Sequence, residues 1–340
     1  MIGPAGIVAV GRSHVVEKEI VYTSIGTTTF TVPAGVTKIS ALCIGGGGGG
    51  MYYNNSNNSH TYAMQGGGGG ALAWMNNITV SEGTVLTIVV GSAGARGAYS
   101  SGSTAGSASS VSIGATTILS AGGGGAGRYN TDVAGGTYSV NASYGTARGG
   151  GNGGGSLRYL SNASGYGPAG GGGAGGYSGN GGAGRAAGNS YGDNPASGSG
   201  GGAGGGKSNF SNLINHVSGG GGGVGTYGKG ADGVNNGTNS GGGTGFGGGG
   251  STVSTIPYGG GSNGSAPDSN YAMSSITSLF RQNGGLWGGG GGGSSTIAWG
   301  WGSSGGQGFV RIIFRTTSRD TNLAFPDTDT SVRRKQTANP

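Results

Sequence analysis

Charge is scarce in this chain: Asp, Glu, Lys and Arg make up 8% of its 340 residues. It has one cysteine, three histidines and eight prolines. Each shortage excludes something. Cys43 stands inside an apolar strand; it rules out a disulfide framework and reads as a small buried hydrophobe. His14, His60 and His216 lie in unrelated contexts. With no HExxH, paired CxxC or GxSxG spacing, neither a metal centre nor a catalytic site is expected. No apolar run reaches the ~18 residues of a membrane span. The opening "MIGPAGIVAVGRSHVVE" lacks the basic start and long apolar centre of a secretory signal, which predicts synthesis in a cytoplasm and exit by another route, such as host lysis. The net charge of +7 is modest and scattered, partly in the tail "VRRKQ", which speaks against nucleic acid as partner. Low charge with 32% hydrophobic residues also differs from a disordered composition and leaves a small core available.

What fills the chain is glycine, 93 residues of 340. That is roughly four times the ordinary ~7%. Ordering glycine loses more backbone entropy than ordering any other residue, so something regular must offset it. Between the glycines lie strand signals rich in Ile, Val, Thr and aromatics: "KEIVYTSIGTTTFTV", "TKISALCI", "GALAWMNNITV", "GTVLTIVVG", "SSVSIGATTILSA" and, far away, "GFVRIIF". They predict a mainly β protein with a sandwich or jelly-roll-like domain over 18–120, closed by 308–316. Residues 1–17 read as an N-terminal attachment segment and 317–340 as a C-terminal tail. Residues 121–307 read as a glycine-rich insertion.

Within the insertion a period of three recurs. In "GGGGAGGYSGNGGAG", Gly170, Gly173, Gly176, Gly179 and Gly182 form one phase, the structural glycines. Ala174, Tyr177, Asn180 and Ala183 form another, expected to face outward. Three residues per turn is the polyproline II helix, which has no internal hydrogen bonds. Without side chains such helices approach closely and bond N–H to C=O between neighbours, satisfying the backbone. A collagen helix would need strict Gly-X-Y and abundant proline; a flexible linker array is the other alternative. Two short α-helices are expected, in "SNFSNLINHVSGG" and "MSSITSLFRQNGG", from apolar residues at i, i+3, i+4 and i+7.

"GGAGGGKSNF" resembles a phosphate loop at Lys207 and Ser208, but no strand precedes it, and Ser208 reads as a helix N-cap. Asp327 and Asp329 of "PDTDT" are paired acids of a solvated tail, with cation binding left open. No cofactor is implied. The remaining signal is in loops of Tyr, Ser, Asn and Gly, a paratope-like composition of rigid rings among adaptable polar groups. Candidate receptor-binding residues are Tyr52, Tyr53, Tyr62, Tyr129, Tyr138, Tyr144, Tyr159, Tyr166, Tyr258, Trp299 and Trp301. Their alternative role is to cover the glycine bundle as a shell.

"TFTVPAGVTKISALCIGGGGGG" resembles the opening of glycine-rich phage tail-fibre and virion structural proteins, and "GFVRIIF" with "AFPDTDT" is similar to their close. The bundle-with-loops pattern resembles the distal adhesins of T-even-like phages. The resemblance implies a non-enzymatic virion surface protein, a tail-fibre tip or adhesin, made in the host cytoplasm. Its partners would be other virion proteins, bound through the N-terminal segment or sandwich, and a host receptor, either a glycan or an outer-membrane protein. It implies a homo-oligomer, with a trimer as one form, and neither nucleic acid binding nor membrane insertion. The alternative is a capsid or tail decoration, or a filament subunit, without receptor binding.

Overall fold

The structure, a computed structural model, describes residues 17–54, 65–97, 102–129, 131–157, 169–185, 202, 216–217, 220–225, 284–285, 287–291, 294–296, 303–316 and 334–337. The strands come in chain order as β1 (Glu17–Tyr22), β2 (Gly26–Thr31), β3 (Lys38–Ile44), β4 (Tyr52–Asn54), β5 (Leu72–Thr79) and β6 (Val85–Val90). There follow β7 (Ser109–Ile113), β8 (Thr116–Ala121), β9 (Tyr138–Val140), β10 (Ala147–Gly151), β11 (Ser156–Leu157) and β12 (Gly184–Arg185). The last are β13 (His216–Val217), β14 (Ser294–Thr296), β15 (Phe309–Arg315) and β16 (Arg334–Thr337). Among the described residues there is no helix of the α type. His216 and Val217 form a strand, which corrects the end of the first expected helix; the rest of it, and the body of the second, lie outside the described residues.

Two sheets make the sandwich. One has six strands in the order β10-β5-β3-β15-β1-β16, the other five in the order β2-β6-β7-β8-β9. The pairs are antiparallel except β1 with β16. As the sequence predicts, the distant "GFVRIIF" completes the sheet that holds "TKISALCI": Phe309 pairs with Ile44 and Phe314 with Ile39. Two runs that read as single strands are split. Gly26, at φ 126°, ends the passage from β1 in one sheet to β2 in the other. Gly114, at φ 55°, turns β7 into β8. Both conformations suit glycine and strain other residues.

Period-two alternation puts one set of side chains between the sheets. Ile39, Ala41, Cys43, Met75, Val310, Ile312 and Phe314 meet Phe30, Leu86, Ile88, Val90, Val111 and Leu119, all buried. Phe30 and Phe314 stack tilted at 5.4 Å. The other face of the six-stranded sheet is also buried. Leu42, Ile44, Leu72, Phe309 and Ile313 pack there against Ala174, Tyr177, Val224 and Trp287. Trp287 lies tilted on Phe309 at 4.8 Å, and Trp74 Nε1 donates to the Tyr177 carbonyl at 3.2 Å. Tyr177, expected outward, is therefore a core residue. Asn180 is exposed and Ala183 half-buried, so the phase does not keep one face. Arg311 and Glu19 form a fully buried ion pair on this outer face, Nε to Oε1 3.1 Å.

Glycine begins where the strands leave the sandwich. β3 runs into 45–50, and 66–70 runs back into β5. β6 and β7 are joined through 91–97 and 102–108, β8 and β9 through 122–128 and 131–137, and 303–308 leads into β15. Each of these hairpins is a strand pair lengthened by two glycine-rich arms. In the arm 45–50 successive amides rotate among three neighbours. Gly45, Gly48 and Met51 donate to Ala71, Gly68 and Gln65; Gly46 and Gly49 to Ser107 and Thr104; Gly47 and Gly50 to Gly306 and Ser303, all at 2.7–3.1 Å. The return bonds come from Gly94 and Gly97, from Gly124 and Gly127, and from Gly291. A helix of three residues per turn, ringed by six others, gives this pattern. The stretch 170–176 is also ringed: it donates to Gly67, Gly70, Gly182 and Gly222, and accepts from Gly154, Gly202 and Gly290.

Position in the bundle decides composition. The ringed arms 45–50 and 66–70 are glycine in every phase because each side meets backbone. A Cβ on Gly48 would lie 1.9 Å from the Gly125 carbonyl oxygen, and one on Gly67 2.0 Å from that of Gly48. The peripheral arm 91–97 keeps glycine only at 91, 94 and 97; those are buried and two bond the central arm, while Ala95 is exposed. The phase through Gly170, Gly173, Gly176, Gly179 and Gly182 is not one helix. The chain reverses at 177–179, where Gly176 donates to the Gly179 carbonyl, and Gly173 then donates to Gly182 across the two antiparallel arms. Glycine arms also start at Gly45, well before 121, and β9 and β10, from within 121–307, extend the two sheets.

Candidate recognition surface

Because the hairpins 45–70, 91–108 and 122–137 are rooted in the sandwich, their tips fall at the far end of the bundle, whereas the arms at 170–185 reverse at 177–179 against the sandwich. Backbone bonds tie these arm ends together. Met51 donates to Gln65, Gln65 to Arg128, Gly97 to Gly50, and Gly50 to Ser303. Val133 and Ser156 exchange bonds at 2.9 Å, and Ser103 Oγ donates to the Gly127 carbonyl at 2.8 Å. The connections 52–64, 98–101 and 292–302 therefore leave and re-enter the bundle at one end. The connection 158–168 leaves from β11 at that same end and returns at Ala169.

Two of the expected loops are knitted together at their bases. β14 runs parallel to β4, pairing Ser294 with Tyr52, Ser295 with Tyr53 and Thr296 with Asn54. β13 joins its other edge, pairing Val217 with Ser294. A separate parallel pair is formed by β11 and β12. Tyr52 and Tyr53 thus share a small sheet with the start of the stretch that carries Trp299 and Trp301. Tyr129 is at the same end, 39% exposed. Tyr138 and Tyr144 are elsewhere. Tyr138 opens β9 in the sandwich and Tyr144 follows that strand; both pack against the core between the sheets, and the Tyr144 carbonyl accepts from Thr79 N–H at 3.0 Å. Tyr62, Tyr159, Tyr166, Tyr258, Trp299 and Trp301, with Lys207, Ser208, Asp327 and Asp329, lie outside the described residues. Gly170, Gly173 and Gly182 are buried in the bundle.

The far end also gathers polar residues that the sequence does not single out. Gln65 is fully buried; its Oε1 accepts from Ser156 Oγ at 3.4 Å, while its Nε2 has no partner. Ser303, 1% exposed, leaves its Oγ without a partner. Arg128 is exposed and Arg96 half-buried. The signal that could have found them is their place: each interrupts or bounds a glycine arm at the residue where it meets a tip. Among the described residues no three His, Cys, Asp or Glu gather as metal ligands, and no helix is long and apolar enough to cross a membrane. Burial raises the Cys43 thiol pKa well above its ordinary value.

No curated protein matches the chain. The glycine-rich domain family matches residues 23–212, from the turn after β1 through the arms at 169–185 and beyond. That stretch holds the five-stranded sheet, the ringed arms 45–50 and 66–70, and most of the hairpins whose strands pass into glycine. The chain belongs to the glycine-rich domain family.

Proposed function

We propose that this protein is a non-enzymatic virion surface protein of the phage tail-fibre kind, which presents its hairpin tips to a receptor on the host. One observation carries the reading: the arms deliver several Tyr-, Asn- and Ser-rich connections to a single end, opposite the sandwich. A backbone lattice is stiff and leaves the tips little freedom to lose on binding, so association costs less ordering entropy. Tip sequences can change without altering a packed core, as suits a surface that must follow a changing receptor. The sandwich, with the N-terminal segment, would anchor the chain to its neighbours in the particle.

The test has two parts. Antibody against the chain, gold-labelled on intact particles, should mark the tail ends; label over the capsid lattice would replace this reading with a decoration role. Replacing Tyr52, Tyr53 and Tyr62 together should lower adsorption to host cells at least tenfold while the melting temperature stays within about 2 °C. Undiminished adsorption after each tip has been treated in this way would remove the receptor-binding role.

A further inference from the structure

We infer that β2 is a docking strand for a second copy of this chain, and that two β2 strands pair antiparallel about a two-fold axis at Thr29; this goes beyond the receptor reading and does not rest on it. The two sheets of the sandwich end in four strands, β10 and β16 in one, β2 and β9 in the other. Edge strands invite pairing, and proteins guard them by shortness, charge, proline or a bulge. β9 has three residues. β10 carries Arg148, and β16 carries Arg334 and Lys335. β2, "GTTTFT", is six residues long, has neither charge nor proline, and keeps an unbroken register with β6. Of these four edges it alone is unguarded. Thr27, Thr28, Thr29 and Thr31 are exposed. Two exposed large hydrophobic residues lie at its ends: Ile25, 57% exposed, just before it, and Val85, 49% exposed, opposite Thr31.

The bonding pattern says which groups face the edge. Val32 N–H donates to the Thr84 carbonyl at 2.9 Å, which fixes the alternation: Phe30, Thr28 and Gly26 bond β6. Thr27, Thr29 and Thr31 therefore turn their N–H and C=O groups outward. Gly26, at φ 126°, bounds that run on one side. On the other, Pro33 has no N–H, and its carbonyl already accepts from Val36 at 3.2 Å. The outward residues are thus threonines centred on Thr29, a pattern that reads the same after a two-fold turn. Antiparallel pairing sets Thr29 opposite Thr29 and Thr27 opposite Thr31 of the other copy, each pair exchanging two N–H···O bonds. Threonine opposite threonine is a favourable cross-strand pair. The same register brings Ile25 beside Pro33 of the other copy at both ends of the ladder. Thr27, Thr29 and Thr31 share the outer face with Val89, Thr87 and Val85, so like meets like without charge repulsion. An isologous pair of this kind closes on itself and leaves neither edge over. β2 starts at the bundle side, because Gly26 pairs with Val90 and the arm 91–97 follows. The two bundles therefore point opposite ways, and the pair bears a tip end at each pole.

The experiment is sedimentation equilibrium of the full chain from about 1 to 100 µM. One ladder with small flanking contacts lies at the low end of specific interfaces, so a dimer of twice 32.2 kDa that dissociates at ~10 µM is expected. Thr29→Lys puts two like charges at the axis and should weaken the dimer at least tenfold. Thr29→Pro removes an outward N–H that β6 does not use and should do the same, so either variant carries the test if the other folds poorly. Thr87→Lys adds the same charge one strand inward, opposite Thr29, and should change dimerisation less than twofold. Thr29→Cys should form a disulfide-linked dimer under mild oxidation, because Cα atoms so paired lie ~5.5 Å apart. Thr27→Cys, which meets Thr31, should not, and the buried Cys43 takes no part. A chain still monomeric at about 100 µM, a larger closed oligomer, an equal loss with Thr87→Lys, or equal crosslinking of the Thr27→Cys and Thr29→Cys variants would each overturn the inference. A monomeric chain whose Thr29→Lys variant is left out of particles would overturn it in favour of a strand from another virion protein.

Discussion

Gly48 is the sharpest test of the backbone lattice. Its amide donates to Gly68 at 2.8 Å and its carbonyl accepts from Gly291 at 2.9 Å. An alanine methyl there would sit 1.9 Å from the Gly125 carbonyl oxygen and 2.7 Å from the carbon bearing it. Ordinary C···O contacts begin near ~3.3 Å, so the gap must open by about 1.4 Å. No flexible side chain can yield, because both atoms are backbone. The arm 122–128 must shift, and it holds bonds from Gly124 to Gly46, from Gly125 to Ala134 and from Gly127 to Gly49, and accepts from Gly68 and Ala71. Losing two or three of these at ~1 kcal/mol each, on top of ~1–3 kcal/mol of overpacking, gives about 3–5 kcal/mol. For a chain of this size that lowers the melting temperature by roughly 4–7 °C. Gly102→Ala is the control: nothing lies within 4 Å of its Cβ. That change should be neutral or slightly stabilising, through a smaller unfolded ensemble. Scanning calorimetry of both variants decides. Equal, small shifts would mean that the arms are loosely held chain and that the lattice argument is wrong.

Glu19→Gln should destabilise the fold by about 3–5 kcal/mol in denaturant titration, because it strands the buried Arg311 charge. The double change of Glu19 and Arg311 to methionine should recover most of that loss, and a single-variant effect under about 1 kcal/mol would show that the pair is solvated. Burial pushes the Tyr22 hydroxyl pKa up to about 12. The unfolded chain releases that proton near ~10, so Tyr22 leaves stability undiminished below pH 10 and subtracts from it as pH rises towards 12. The loss should reach up to ~3 kcal/mol. Tyr22→Phe should flatten that alkaline decline, and an unchanged slope would refute the assignment.

The strands were legible because side chains report them. "TKISALCI" and "GFVRIIF" are apolar on both faces, which fits a pair buried between the other sheet and the Tyr177–Trp287 layer. What hid in the sequence hid in residues without side chains. Nothing in "GGGGGG" at 45–50 says which arm each amide will bond; the choice is made by arms rooted in strands more than two hundred residues apart. The period of three was visible at 170–182, yet the reversal at 177–179 was not, because glycine continues the phase through a turn as readily as through a helix. Tyr177 falls in the phase expected to face outward for the same reason: its burial depends on the outer face of a sheet assembled from other parts of the chain. At the candidate surface, tip composition was readable, while the gathering of Arg96, Arg128, Gln65 and Ser303 required the lattice.

The pairing of β15 between β3 and β1 has a consequence for how the protein is made. Phe309 emerges from the ribosome 265 residues after Ile44 (309 minus 44). At ~5–20 residues per second that is a wait of about 13–53 s. Throughout it, one edge of β3 lacks its partner, and so do the amides of Gly47 and Gly50, which donate to Gly306 and Ser303. An apolar strand with a bare edge is a target for aggregation and for proteases. A product cut short by premature termination can never close that edge, however many tips it already carries. The last strand acts as a keystone, and cellular proteolysis becomes a filter that spares only finished chains.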